Sequence, residues 1–594
     1  MQLRALLLSL AVVVVSPVLA DSDGGYTLSF ASFAPMDTDV FIADANGDNA
    51  RPLFQHPDLD YDAVFSPQGD WIYFTSRRAG SADIFRSHAD GTGLESVVAD
   101  PAYDDQAALS PDGKTLAFVS SRSGQAEIWT MDLKTRRARN LTQHPAGDFR
   151  PAWSPDGRWL AFSSDRDSSK PVGRSGFTIN HCIDLYVMKA DGSALRRLTT
   201  LGEVAGSPRW SRDGKQLVFH RVAGDEYFKI TTPQRLAGTT QIASVDVASG
   251  AITALTDFPG EKRSPQFVSA DRIGYWLEGD DGGIEFVGGA HGARGEFRNP
   301  SWSADGKRML FHRDIAPAWP PHRKWHSVDP NFQLLRTGIF PSWSPDGARM
   351  ISNDQTAGVL HNSIVAMNAD GSQRSVLFTD PEKSALAPDW SRQGDRIVFA
   401  LGQFFQSIKG PARADIATIR ADGSDLRLLT DGASNYGFPT WSGDGERVVY
   451  REVVKGRNTL YVHDVQSGER RVLIEGAVHY NFPQWSPVAD VIAFTSNRDG
   501  DYEIYTIAAD GTNLTRLTQS PGNDAHSAWS PDGRWIAFSS GRSGFKDEGI
   551  MYKANPQSYG EVFVMRADGS EQHALTDDQF EEATPGWLPV RRGK

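Results

Sequence analysis

The chain has 594 residues, a formal net charge of −13, 39% hydrophobic residues and a single cysteine. That length exceeds what one ordinary core organises, so it calls for several domains or an architecture that grows by repetition. The acidic charge is spread without a basic cluster, which argues against a nucleic-acid partner, and the lone Cys182 excludes an intrachain disulfide.

Residues 1–20 carry Arg4 as their only charge, then an apolar run, then Val18-Leu19-Ala20 ahead of Asp21-Ser22-Asp23. This is the layout of a secretory signal peptide, and the run is shorter than the roughly 20 residues a spanning helix needs. The expected mature chain is periplasmic or secreted, with no transmembrane segment after cleavage and no cysteine at the junction for lipid attachment. Cys182 reads as an inert buried thiol.

Residues 26–54 look like the later strands of a β-sheet that lacks its first strand. A phrase then recurs: Ser66-Pro67-Gln68-Gly69, Ser110-Pro111-Asp112-Gly113, Ser154-Pro155-Asp156-Gly157, Ser211-Arg212-Asp213-Gly214, a worn copy near Ser269, Ser303-Ala304-Asp305-Gly306 and Ser344-Pro345-Asp346-Gly347. It continues at Ser391, Ser442, Ser486 and Ser530, and Trp587-Leu588-Pro589 closes the series. A large side chain stands just before most copies: Trp153, Trp210, Trp302, Trp343, Trp390, Trp441, Trp485 and Trp529. Between copies, as in Gln484–Thr518, four short apolar stretches are separated by turn residues, and Ala190-Asp191-Gly192-Ser193 and its relatives suit two-residue hairpins. Each unit is therefore a four-stranded antiparallel sheet, and such sheets stack against copies of themselves in a closed ring with the tryptophan wedged between neighbours.

The expected fold is all-β: a β-propeller of about twelve four-stranded blades, divided into two six-bladed propellers. The expected domains are residues 1–20 as signal peptide, 26–300 as the first propeller and 301–590 as the second, with strands from 26–54 closing a blade with 587–590.

The phrases W-S-P-D-G, F-S-S-x-R, E-I-Y-x-M-x-A-D-G and R-L-T resemble the PD40, WD40-like propeller repeat of the TolB family, across nearly the whole mature chain. The resemblance implies an exported protein of the bacterial cell envelope that binds rather than catalyses. TolB itself carries a smaller N-terminal α/β domain, for which there is no room between Ala20 and the first strand. Similar repeats occur in tricorn-like and prolyl-oligopeptidase-like peptidases and in oligogalacturonate lyase, so the resemblance speaks to fold before function. No Gly-x-Ser-x-Gly elbow is present to support a serine hydrolase.

The turns after strands one and three are short and uniform, whereas insertions at 168–182, 222–240, 403–413 and 543–560 fall on the opposite face. Insertions confined to one face of a repeat array mark a binding face. The candidate ligand-binding residues there are Asp148, Arg150, His181, Tyr436, His479, Tyr480, Asn481, Asp524, His526, Glu581 and Glu582. No catalytic residue and no cofactor is assigned, and the expected partner is an envelope protein, peptide or glycan. The competing expectation is a metal-assisted polysaccharide lyase or hydrolase like oligogalacturonate lyase, with a divalent metal on His181, His479 and His526.

Overall fold

A computed structural model of the chain describes residues 25–589 apart from 36, 54, 169–181, 201, 203, 223–239, 316–322, 355–361, 404–411 and 549–559. The expected signal peptide, His181 and most of the insertions therefore lie outside the described residues. Among the described residues there is no helix, and none long and apolar enough to cross a membrane.

The strands form ten four-stranded sheets and one of eight strands, in which a single bridge, Ala414 to Asn435, links two four-stranded groups. The innermost strands touch one another in two closed circuits. One runs through Asp60–Phe65, Asp104–Leu109, Asp148–Trp153, Val204–Trp210, Glu261–Phe267 and Arg298–Trp302. The other runs through Ile339–Trp343, Ser384–Trp390, Asn435–Trp441, Tyr480–Trp485, Asp524–Trp529 and Glu582–Trp587. The all-β propeller expected from the repeat is the fold observed.

The repeated phrase works as its chemistry requires. In the Ser154 copy, the Gly157 N–H donates to the Ser154 carbonyl at 2.9 Å with Gly157 at φ 69°. The serine hydroxyl donates to Asp156 at 2.6 Å and accepts from the Trp159 N–H at 2.9 Å, so the turn is tied by its own side chains. Several of the tryptophans bridge blades through their indole N–H groups. Trp153 donates to the Ala108 carbonyl at 3.2 Å, Trp210 to Ala152 at 3.0 Å, Trp529 to Gln484 at 3.2 Å and Trp587 to Ala528 at 2.8 Å.

Both rings are closed by strands distant in sequence. Tyr26–Ser32 pairs antiparallel with Glu582–Trp587 and parallel with Phe332–Thr337, whose other neighbour is Arg323–Trp325. The strand Tyr26–Ser32 thus completes the second ring. The next strand, Thr38–Asp44, instead pairs with Arg308–Asp314 and completes the first ring, together with Arg51–Pro52 and Arg298–Trp302. The first described strand therefore lies in the second ring, and the chain then crosses to the first and leaves it after Asp314 rather than at residue 300.

This closure gives Phe30, fully buried against Leu28, Leu334 and Trp587, an outsized role. Phe30→Ala is expected to cost about 3–5 kcal/mol, read as a lowered unfolding midpoint. A loss under about 1 kcal/mol would mean that the N-terminal strand does not close the ring.

Candidate functional site

In each innermost strand the ladder slips by a bulge three residues before its last aromatic or apolar residue, and the residue there adopts positive φ although it is not glycine. In the first ring these residues are Asp62, Gln106, Arg150, Ser207, Ser264 and Asn299, with φ between 45° and 59°. In the second they are Phe340, Ala387, Phe438, Phe482, His526 and Thr584, with φ between 50° and 54°. All six of each set line one cavity, so each cavity lies on a ring axis. The first axis is lined by charged and polar side chains, and the base of the second by aromatic ones, with Ser342, Asp389, Thr440 and Gln484 further out.

On the first axis Arg150 is buried and donates from Nη1 to Asp62 at 2.8 Å and from Nε to Asp547 at 2.8 Å. Asp547 belongs to the other ring. It follows strand Trp535–Ser540 of the second ring, and the segment Phe545–Glu548 is inserted into the mouth of the first. Phe545 lies among Tyr103, Phe149, Leu160 and Phe162, and the Glu548 carboxylate accepts from Ser163 Oγ at 2.5 Å, Ser207 N at 2.6 Å and Ser207 Oγ at 2.9 Å. Lys546 pairs with Asp577 at 2.8 Å, and Asp578 of the same second-ring loop pairs with Arg77 of the first at 2.6 Å. Below the inserted segment lies a narrow recess enclosing about 470 Å³, its open mouth included, lined by the six axial residues and by Arg209.

On the second axis Phe340, Phe438, Phe482 and His526 form an aromatic collar, with ring centroids at 5.8 Å for Phe340 and Phe438, 4.3 Å for Phe438 and Phe482, and 4.1 Å for Phe482 and His526. Below the collar opens a cup enclosing about 1160 Å³, its mouth included. Its wall is built from Trp343, Trp390, Trp441, Trp485, Trp529 and Trp587, with Pro341, Pro388, Pro439 and Pro585 between them, and Pro345, Arg392 and Pro531 at the rim. Those rim residues belong to the repeated turns. The cup therefore opens on the turn face, opposite to the face the insertions singled out.

Of the eleven residues chosen from sequence, His181 lies outside the described residues, and the structure scatters the other ten. Asp148 and Asp524 begin innermost strands and are buried in latches: Arg166 reaches Asp148 at 2.6 Å and Arg542 reaches Asp524 at 2.5 Å. The same latch recurs as Asp60 with Arg78 and Asp104 with Arg122, both at 2.7 Å, so it is a blade device and not a ligand site. Tyr480, also read as a loop residue, is a buried first strand residue whose hydroxyl accepts from Arg498 at 3.3 Å. Tyr436 is buried and donates to Asp431 at 3.2 Å, and Asn481 accepts from Arg451 at 2.7 Å. His479 is exposed, and its backbone N–H donates to Asn497 at 2.9 Å. Glu581 is buried, and its carbonyl accepts from the Phe33 N–H at 3.0 Å. Among the ten described, only Arg150 and His526 face an axis, and they face different ones.

His526 sits in the collar, where burial lowers its pKa to about 3, so it is a neutral aromatic there. Among the described residues no group of three or more His, Cys, Asp or Glu side chains is placed to hold a metal ion. Trp153 and Trp529 are half-buried, less enclosed than Tyr480, which reverses the structural and functional roles expected for the pair Trp529 and Tyr480.

The PD40 profile, TolB beta propeller domain, matches residues 92–244 and 404–548. The chain belongs to this family of TolB β-propeller domains. No curated protein matches it. Among solved structures, a putative TolB from Agrobacterium tumefaciens is 18% identical over 48% of this chain and all of its own, with a TM-score of 0.29. TolB from Acinetobacter baumannii is 12% identical over 70% of this chain and 81% of its own, with a TM-score of 0.34. An oligogalacturonate lyase from Vibrio parahaemolyticus is 15% identical over 75% of this chain and 98% of its own, with a TM-score of 0.25.

Glu582 holds the latch position of the closing blade, but Ala34 stands where other blades place the arginine. Ser32 donates to its carboxylate at 2.7 Å, yet burial first and the charge of Asp578 second push its pKa well above the usual carboxylate range. The folded pKa exceeds the unfolded value of about 4.3, so the folded state retains a proton that the unfolded state releases. Stability attributable to this group therefore falls as pH rises from about 4 towards the folded value, by at most ~1.4 kcal/mol per pH unit. Glu582→Gln is expected to flatten the decline of melting temperature between about pH 5 and about pH 8; an unchanged slope would show that the carboxylate is not held neutral.

Proposed function

We propose that the chain is an exported, non-enzymatic binding or scaffold protein of the bacterial cell envelope, and that it receives an apolar peptide segment of a partner protein in the cup of its second ring. The observation that carries this reading is the wall of the cup: six tryptophans and interleaved prolines around one axis, closed at its base by the aromatic collar. Such a wall presents the stiff edges of largely buried aromatic rings beside the polar groups of Ser342, Asp389, Thr440 and Gln484, and the indole N–H of Trp587, spent on the neighbouring blade, fixes its ring in place before any ligand arrives. A proline or aromatic side chain of a partner would stack there with little loss of rotamer freedom on the receiving side. The layout of residues 1–20 supports export.

Two measurements test the proposal. A photo-crosslinking residue at Gln484, on the cup wall, is expected to capture a partner protein in the envelope fraction, while one at Asp422, on an exposed outer hairpin turn, is expected to capture none. No adduct from the cup, or equal adducts from both positions, would overturn the assignment of the cup. Mass spectrometry of the native protein is expected to find an N-terminus at Asp21; a chain beginning at Met1 in the cytosol would overturn export.

A further inference from the structure

The segment Phe545–Glu548 meets the first ring in the way a bound peptide meets a receptor. Its contacts come from three consecutive blades and address each part of a short extended stretch. The Phe545 side chain enters the cluster of Tyr103, Phe149, Leu160 and Phe162. Gln106 Nε2 donates to the Lys546 carbonyl at 3.2 Å. Arg150 grips the Asp547 carboxylate through two nitrogens, Nε at 2.8 Å and Nη2. The Glu548 carboxylate takes the three donations from Ser163 and Ser207 described above, and His220 Nε2 lies 3.5 Å from it.

Two further features point to carboxylate recognition. Gly206 leaves the space the Glu548 carboxylate occupies: a Cβ there would lie 2.4 Å from Oε2 and 2.5 Å from Cδ, so no other residue admits the group so closely. The polar lining also continues beyond the occupant. The cavity beneath is lined by Ser264, Asn299 and Arg209, and among the described residues Arg209 meets no carboxylate within ion-pair distance, its hydrogen bond being to its own neighbour, the Pro208 carbonyl, at 3.0 Å. A guanidinium so placed suits a further anionic group on a longer ligand.

We propose that the mouth of the first ring is a receptor site for acidic peptides of the form aromatic-x-Asp-Glu, and that the chain's own Phe545–Glu548 occupies it as a tethered ligand. The site is distinct from the cup of the second ring and does not rest on the reading of that cup. A partner bearing such a segment competes with the tether, so the first ring discriminates by displacement, and the tether sets the affinity threshold through its high effective concentration.

The test frees the site and supplies the ligand in trans. In a protein carrying Phe545→Gly, Lys546→Ser, Asp547→Gly and Glu548→Ser, a fluorescein-labelled, amidated peptide Gly-Phe-Lys-Asp-Glu is expected to bind, as read by anisotropy. Its affinity is expected to fall at least tenfold when the peptide carries Asn-Gln in place of Asp-Glu, and to be lost on adding Gly206→Ala. The unsubstituted protein is expected not to bind the peptide at the same concentration. A folded four-site variant that ignores the peptide, that binds the Asn-Gln peptide equally well, or that binds no better than the unsubstituted chain would overturn the proposal and leave the segment as a simple staple between rings. Should that variant not fold, the Asp547→Ala, Glu548→Ala protein with N-acetyl-Asp-Glu-amide gives the same reading: a rise in melting temperature at millimolar dipeptide supports the site, and indifference to it overturns it.

Discussion

One backbone constraint organises both rings. Each innermost strand places a residue at positive φ three positions before its last core residue, and the resulting bulge turns that side chain onto the axis while the next large side chain is set against the preceding blade. A non-glycine residue held there costs of order 1–3 kcal/mol, and twelve such residues persist because the surrounding ladders and the inter-blade tryptophans over-determine them. The chemistry of each axis then follows from which six residues the chain supplies. Asp, Gln, Arg, Ser, Ser and Asn make the first axis a place for charged groups, and three Phe and His, with Ala and Thr, give the second its aromatic collar.

The two axes consequently behave differently towards the rest of the molecule. The polar axis must satisfy a buried arginine, and the second ring answers with Asp547 and Glu548, so the same contact neutralises the axis and joins the rings. The inserted acids are themselves costly to bury, which is why every one of their described contacts is a charge or a hydrogen-bond donor. The second axis needs no such partner at its base, because the collar rings satisfy one another, and its cup stays open. Crossing of the chain between rings at residues 32–38 and again after Asp314 ties the two together covalently, and the contacts of Arg77 and Tyr103 with the 577–579 loop add to the joint.

Much of the fold was legible because its determinants are local and repeated. Ser-Pro-Asp-Gly and the tryptophan before it announce a turn and a wedge in every blade, and a truncated last repeat facing an orphan first strand announces closure. The site was less legible for two physical reasons. Asp148, Tyr480, Asp524 and Glu582 look like polar loop residues, but they open innermost strands, and Asp148 and Asp524 are spent on latches; the recurrent spacing of 18 between Asp and Arg, as in Asp60 to Arg78 and Asp524 to Arg542, was the available signal. The axial residues also repeat, three before the last core residue of each innermost strand, yet their identities vary freely, so pattern-seeking passes over them. The insertion of Phe545–Glu548 could not be read at all, since a contact between rings leaves no local period, and Lys-Asp-Glu in a loop reads as solvated surface.

The central claim, that the second ring fills the mouth of the first through a specific charge contact, is tested most directly by a double-mutant cycle on Arg150 and Asp547. Thermal unfolding of Arg150→Met, Asp547→Asn and the double variant should show strong non-additivity, with a coupling free energy of about 1–3 kcal/mol. Additivity within about 0.5 kcal/mol would place the two side chains apart and contradict the account.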